Sequence, residues 1–239
     1  MSAARSERRE RMIKLSSALG FLAVVAVAVL IVLSQSQGEG GDAGSIGGVD
    51  EVERLLEGIP QQGLVLGKPQ AKVVLIEFGD LQCPVCKGYA EDQVRDVIEG
   101  PLRRGEARLD FRNYTIIGDE SVAAGAAALA AGQQSRGWNF VELFYRNQGA
   151  ERSGYVSDEF LTAIARKAGV SDIDRWERAR KSRAVLAEVD ATNAEARKLG
   201  FTGTPSFAIE GPETRGLEAL GTPTSAEDLE AAITDSGHK

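Results

Sequence analysis

Cys83 and Cys86 are the only cysteines in the 239-residue chain, two residues apart in the stretch Glu77-Phe78-Gly79-Asp80-Leu81-Gln82-Cys83-Pro84-Val85-Cys86. A pair at this spacing can form a reversible disulfide, supply half of a metal site, or close an inert staple. A cysteine-rich zinc site takes about four ligands, usually from two such pairs. This chain offers one pair and a single histidine, His238, next to its last residue. An iron–sulfur cluster takes about four thiolates, and c-type haem attachment puts histidine directly after the second cysteine. Lys87 stands there instead, so no metal or cofactor is expected. Histidine-based nucleophilic catalysis fails on the same count, because the one imidazole lies at a chain end where little positions it. A staple closing a loop of about four residues removes little entropy from the unfolded chain. The redox-active dithiol is the chemistry the pair supports best, with a silent staple as the bland alternative.

The surrounding elements must hold that dithiol. Val73 to Gly79 (VVLIEFG) is a continuous apolar, β-rich run of the kind that forms a buried central strand, and Glu77 is its one charged residue. Pro84 suits the first position of a helix, where its missing N–H is not needed. Cys86, Ala90, Val94 and Val97 then recur at helical spacing until Gly100-Pro101, which predicts the helix end. The two thiols therefore sit at a strand-to-helix junction. Ala107 to Ile117 predicts a second strand, and strand, helix, strand implies a parallel pair with a crossover.

A long helical block follows from about Ser121 to Leu199. Ser121 to Gln134 is rich in alanine, and Trp138 to Asn147 gathers Val141, Phe144 and Tyr145 near one face. Ser157 to Ala168 has a serine cap and a closing Gly169, and Val185, Val189, Ala196 and Leu199 mark a last helix before Gly200. The aromatics Trp138, Phe140, Phe144 and Trp176 read as core. Beyond them Gly203-Thr204-Pro205 makes a turn into a strand, Ser206 to Ile209. Arg215 to Leu220 is a weaker candidate strand. Thr224 with Glu227 has capping-box spacing for a closing helix through Ile233.

The net charge of −7 conceals an asymmetry. The first 14 residues carry five basic groups (Arg5, Arg8, Arg9, Arg11, Lys14) against Glu7 and Glu10, while the remainder holds 23 basic and 33 acidic residues. An acidic body argues against nucleic acid as a partner. Leu15 to Leu33 is a run of 19 residues without a charge, which as a helix spans roughly 28 Å, about the hydrocarbon thickness of a bilayer. The preceding basic segment belongs on the cytoplasmic side, which places the rest of the chain outside. Ser34-Gln35-Ser36 is a weak cleavage candidate, so an uncleaved signal anchor is the first reading and a released protein the second. Gln35 to Gly48 is rich in Gly and Ser and lacks periodicity, as a flexible tether does. Gly67-Lys68 looks like the end of a phosphate loop, but Pro69 and Gln62 stand where that motif needs Ser or Thr and Gly. The expected organisation is a cytoplasmic basic segment (1–14), a transmembrane signal anchor (15–33), a flexible tether (34–59) and a globular α/β domain (60–239) with a helical insertion at about 119–200.

With these features in place, the sequence resembles the DsbA-like branch of the thioredoxin superfamily over roughly Gly63 to Ile233. Three motifs in order carry the resemblance: Cys83-Pro84-Val85-Cys86 after its strand, Glu77 six residues before the first cysteine, and Gly203-Thr204-Pro205 leading into a strand after an all-helical insert. The resemblance implies a thioredoxin fold with an all-helical insertion. It makes Cys83 the exposed nucleophile, Cys86 its buried partner, and Glu77 a buried acid that helps move protons beneath the disulfide. Pro205 would be a cis-proline facing the pair, and Thr204 would touch both the sulfur site and the substrate backbone. An edge-strand acid facing water is the other reading of Glu77. Strongly oxidising relatives often have histidine between the cysteines, whereas this chain has Pro84 and Val85. Here the helix N-terminus and its backbone N–H groups must stabilise the Cys83 thiolate.

The implied activity is an extracytoplasmic thiol-disulfide oxidoreductase that introduces disulfides into cysteine-containing secreted or membrane proteins. The implied reoxidant is a quinone-linked membrane partner of the DsbB or vitamin-K-epoxide-reductase type. A reductase or isomerase of the same fold, and a tethered binding or chaperone module with a silent disulfide, are the alternatives.

Overall fold

The computed structural model describes residues 46–237. The basic segment, the apolar run of residues 15–33, most of the glycine-rich stretch and His238 lie outside the described residues. Among the described residues no helix is long and apolar enough to cross a membrane.

The first element is α1, Val49–Leu56, in the stretch the sequence reading assigned to a tether. Its apolar face is Val52, Leu55 and Leu56, at helical spacing and buried in the main core. The correction has a plain cause: Asp50 and Glu51 precede those positions, Glu53 and Arg54 separate them, and together they give the segment a polar composition. Two short strands follow, β1 (Gln61–Gln62) and β2 (Val65–Leu66), paired as an antiparallel hairpin. At two residues each they are too short to show an alternation.

The central strand is β3, Val73–Gly79, as its apolar run implies. The chain then enters α2 (Pro84–Glu91), kinks at Asp92, and continues as α3 (Gln93–Val97). A π-type turn, Ile98–Leu102, takes the chain past Gly100-Pro101, where the Gly100 backbone leaves helical geometry (φ −96°, ψ −109°), so the helical run breaks at the pair that was expected to end it. β4, Ala107–Asn113, pairs parallel with β3 over its full length. It stops short of the expected Ile117 because the Ile116 and Ile117 amides are taken by the Asp80 carboxylate instead of a neighbouring strand.

The helical insertion comprises α4 (Asp119–Gly132), α5 (Gly137–Arg146), α6 (Asp158–Lys167), α7 (Ile173–Arg180) and α8 (Arg183–Lys198). The caps at α6 to α8 are local: Ser157, Asp172 and Ser182 each accept a backbone N–H three residues on. The chain returns in β5 (Ser206–Glu210) and β6 (Glu218–Gly221) and closes with α9 (Ala226–Gly237). The capping box of α9 is Ser225 with Asp228, one residue beyond the expected pair: the Asp228 N–H donates to Ser225 Oγ, and the Ser225 N–H to Asp228 Oδ2.

The sheet order is β1-β2-β4-β3-β5-β6, with β5 antiparallel to β3. Strand alternation then decides what Glu77 meets. Ile76 and Phe78 point to one face, packed with Tyr114, Ala196 and Phe201. Leu75 faces the other way into the main core, and Glu77 shares that side, opposite Phe111 and Phe207. The same core contains Cys86, Val94, Trp138, Phe144 and Trp176, so sheet and insertion bury their aromatics together. This is the α/β DsbA-like thioredoxin fold with its helical insertion.

Candidate active site

β3 delivers the chain to a tight loop, Asp80 to Gln82, and Cys83 caps α2. The Cys83 backbone is extended (φ −75°, ψ 118°), and its sulfur accepts the Cys86 N–H at 3.4 Å, the place an Asn or Ser oxygen takes at other helix starts. Pro84 occupies the first turn, as expected. The Thr204–Pro205 bond is cis, and the Cys83 thiol donates to the Thr204 carbonyl at 3.5 Å. Pro205 is itself held by Thr222, whose hydroxyl donates to its carbonyl at 2.8 Å. The structure therefore brings Cys83, Cys86, Thr204 and Pro205 together from positions some 120 residues apart in the chain.

Cys86 is fully buried and Cys83 keeps 7% of its surface open, while Val85 between them is 55% exposed. Cys83 is thus more covered than a plainly exposed nucleophile, although it is the only one of the two with any opening. Glu77 is buried too, at 1% exposure, which removes the reading of an edge-strand acid facing water. One of its oxygens, Oε1, has no hydrogen-bond partner.

The electrostatics separate the two thiols. Cys83 is pulled down from 9.0 to about 6, first by the hydrogen bond from the Cys86 side chain, then, against burial, by Thr204 and the N–H groups of Cys86 and Val85. The helix N-terminus therefore has help from the side chains of Cys86 and Thr204. Cys86 moves the other way, pushed up by burial, by the Cys83 sulfur it hydrogen-bonds and by the charge of Glu77. Glu77 is raised from 4.5 to about 8 by burial, with the Glu142 and Cys83 charges adding to it. Near neutral pH the arrangement is a Cys83 thiolate, a Cys86 thiol and a protonated Glu77. It can release one sulfur as an anion and hold a proton for the other.

Several residues that shape the site were not legible in the sequence. Asp80, fully buried, accepts the Gln82 N–H through Oδ1 and the Ile116 and Ile117 N–H groups through Oδ2, at 2.9, 2.9 and 3.0 Å. Gln148 reaches from the end of α5 and donates to the carbonyls of Leu81 and Cys83. Gln82 donates to Ser121 and accepts the Arg152 N–H, and the Tyr145 hydroxyl donates to the Asp80 carbonyl. The insertion thus holds the loop before Cys83 from several sides.

A family model described as thioredoxin matches residues 60–235. The chain belongs to this thioredoxin family. Among curated relatives, the probable disulfide bond formation protein D of Bacillus cereus is 29% identical over 149 residues, which is 61% of this chain and 69% of that protein. A thioredoxin-like oxidoreductase from Silicibacter pomeroyi superposes with a TM-score of 0.57 at 30% identity, covering 71% of this chain and 89% of that one. Oxidised BdbD from Bacillus subtilis superposes with a TM-score of 0.64 at 19% identity, covering 74% and 97%, and supports the fold. This member of the thioredoxin family is a DsbA-like thiol-disulfide oxidoreductase.

Proposed function

We propose that the protein works as an oxidase, passing the Cys83–Cys86 disulfide to pairs of thiols in secreted or membrane proteins. The observation that carries this reading is the asymmetry of the pair: Cys83 is lowered to about 6 while Cys86 is pushed above its ordinary value. A thiolate that forms readily at Cys83 favours the reduced protein, and what favours the reduced form raises the reduction potential. The Bacillus relatives named for disulfide bond formation point in the same direction.

In the proposed cycle a substrate thiolate attacks the Cys83 sulfur of the disulfide. The Cys83–Cys86 bond breaks, and the Cys86 sulfur leaves with the electron pair and takes a proton from Glu77. The mixed disulfide that remains joins substrate to Cys83, beside Thr204 and Pro205, whose loop meets the substrate backbone. A second substrate thiolate then attacks the substrate sulfur of that bond, and Cys83 departs as its stabilised thiolate. The substrate has lost two electrons and the protein has gained them.

Reoxidation needs an acceptor for that pair of electrons, and a quinone-linked membrane protein of the DsbB or vitamin-K-epoxide-reductase type has the right chemistry. The apolar run of residues 15–33 with its basic flank supports an N-terminal anchor, cytoplasmic on its basic side, that holds the domain outside the membrane beside such a partner. The test is to assay insulin reduction and refolding of reduced ribonuclease side by side, together with the reduction potential. Oxidative refolding with a potential well above thioredoxin's supports the reading. A thioredoxin-like potential with strong insulin reduction makes the protein a reductase, and full function in Cys83→Ser makes the disulfide silent.

A further inference from the structure

The two walls of the active site come from elements far apart in the chain: the start of α2, and the turn Gly203-Thr204-Pro205 ahead of β5. The bond that joins them at the sulfur, from the Cys83 thiol to the Thr204 carbonyl at 3.5 Å, exists only while Cys83 carries a proton. A disulfide or mixed disulfide at Cys83 has no hydrogen to give, so this bond is absent when a substrate lies between the walls. A second link avoids sulfur. β6 pairs Ala219 with Ala208 and Gly221 with Phe207, with Leu220 the extra residue between them. Gly221 turns in the left-handed region, at φ 74°, and the chain that leaves it passes across both walls. Thr222 Oγ1 donates to the Pro205 carbonyl at 2.8 Å, and the carbonyl of the next residue, Pro223, accepts the Tyr89 hydroxyl of α2 at 2.5 Å. Beyond them the Thr224 and Ser225 N–H groups both donate to Asp228 Oδ2 at 3.0 Å, which fastens the segment to the start of α9.

We propose that Thr222-Pro223 is a strap that sets the distance between the two walls, which makes Thr222 and Tyr89 positioning residues for thiol-disulfide exchange, acting through Pro205 and through α2. Thr222 is exposed, so its hydroxyl could bond to water without loss, and it is the course of the chain after Gly221 that aims it at Pro205. Burial, and after it the Asp228 charge, hold the Tyr89 hydroxyl above its ordinary 10.0, so it is a donor throughout the neutral range. Other contacts serve each wall singly. Ser206 Oγ donates to the Gly203 carbonyl at 2.8 Å, which shapes the turn without relating it to α2. The Tyr89 ring packs on Phe207 with centroids 6.0 Å apart, which seats α2 on β5 two residues past Pro205. The role rests on the oxidase reading in one respect, that a protein substrate lies beside Thr204 and Pro205 while its sulfur is bonded to Cys83. A peptide then needs both walls at the right distance, whereas a small dithiol needs the sulfur alone. The two hydrogen bonds are links in series: cutting either releases the walls, and cutting the second releases nothing more.

The experiment measures, on the full-length chain, the rates at which the oxidised protein is reduced by a synthetic peptide with two cysteines and by dithiothreitol, and takes their ratio. Thr222→Val and Tyr89→Phe, the second of which keeps the ring on Phe207, should each lower the peptide-to-dithiothreitol ratio about fivefold, the worth of one neutral hydrogen bond. The double variant should fall no further than the lower of the two single variants. Thr222→Ser keeps the hydroxyl and should return the ratio to that of the parent. An unchanged ratio in either single variant overturns the strap, as do losses that multiply in the double variant or a Thr222→Ser ratio as low as that of Thr222→Val. The reduction potential, measured alongside, keeps this role apart from the oxidase reading. A thioredoxin-like value ends that reading, and the ratios still support or overturn the strap, because exchange in either direction passes through the same mixed disulfide. A parent protein that exchanges with neither thiol overturns both.

Discussion

The Cys86 backbone N–H points at the Cys83 sulfur from 3.4 Å, so the buried thiol's own residue helps to hold the other thiol as an anion. Each cysteine thereby fixes the state of its partner. The Cys86 side chain contributes the largest part of the lowering of Cys83, and the Cys83 sulfur helps to push Cys86 up. No cation between the cysteines is needed for the difference.

Alkylation of the reduced protein should therefore be selective. With Cys83 lowered to about 6 and Cys86 raised and fully buried, iodoacetamide at pH 6 to 7 should label Cys83 and leave Cys86 untouched. Thiolate absorbance against pH should rise with a midpoint near 6 and vanish in Cys83→Ser. Equal labelling of the two cysteines would remove the assignment of Cys83 as the attacked sulfur.

The two redox forms should differ in stability in a pH-dependent way. A folded-state value of about 6 against the ordinary 9.0 means that Cys83 binds fewer protons folded than unfolded. Its contribution is complete above 9.0 and is lost as pH falls through about 6. Cys86, shifted upward, opposes it at the alkaline end. The reduced form should gain on the oxidised one between pH 6 and 8. The gain is on the order of 1–2 kcal/mol, because the Cys83 sulfur keeps some contact with solvent. That corresponds to about 20–40 mV of added oxidising power. Denaturant unfolding of both forms at pH 5.5 and 8 measures it, and a disulfide form that is the more stable at pH 8 would contradict an oxidant.

The parts of this site that lie close in sequence were legible, and those that reach it by packing were not. Val73 to Gly79 is apolar without interruption except at Glu77, and Pro84 can only begin a helix, so the strand-to-helix junction at the dithiol follows from local chemistry. Thr204 and Pro205 were assigned by resemblance, since nothing local in Gly203-Thr204-Pro205 says what it will face. Asp80, Gln148 and Glu142 carry no signal at all, because an isolated polar residue looks the same whether it faces water or closes a buried network. The helix Val49–Leu56 was missed for the opposite reason: its charges masked the three apolar residues that dock it.

Gly79 ends β3 where no side chain fits. A Cβ there would stand 2.7 Å from Phe111 Cε2, 3.0 Å from the Tyr145 hydroxyl and 3.2 Å from Glu77 Oε1. The Phe111 ring cannot yield easily, since Trp138 and Tyr145 both meet it edge-on with centroids 6.2 Å away. Gly79→Ala should therefore cost about 1–3 kcal/mol and disturb Glu77 and the Asp80 loop together. Thermal unfolding and the exchange rate check this, and a variant as stable and as fast as the parent would show that the ring has room to move.

Glu77 should trade stability for activity within one pH window. Its carboxyl is raised from 4.5 to about 8, chiefly by burial, so the folded state holds a proton that the unfolded state gives up. A raised folded value contributes stability below 4.5 that is lost as pH climbs through about 8. Glu77→Gln keeps the shape and cannot ionise, so it should stabilise the protein little at pH 4.5 and by on the order of 3–5 kcal/mol above pH 8. The oxidised form is the one to unfold, because it lacks the Cys83 thiolate that would otherwise add its own pH dependence. The same variant cannot hand a proton to Cys86, and exchange should slow by about 10²-fold. Stability that rises in parallel with the parent's from pH 5 to 9 would mean that Glu77 is not neutral in the fold. Unchanged exchange would mean that Cys86 takes its proton from elsewhere, with water reaching the Glu77 side of the disulfide as the first alternative to test.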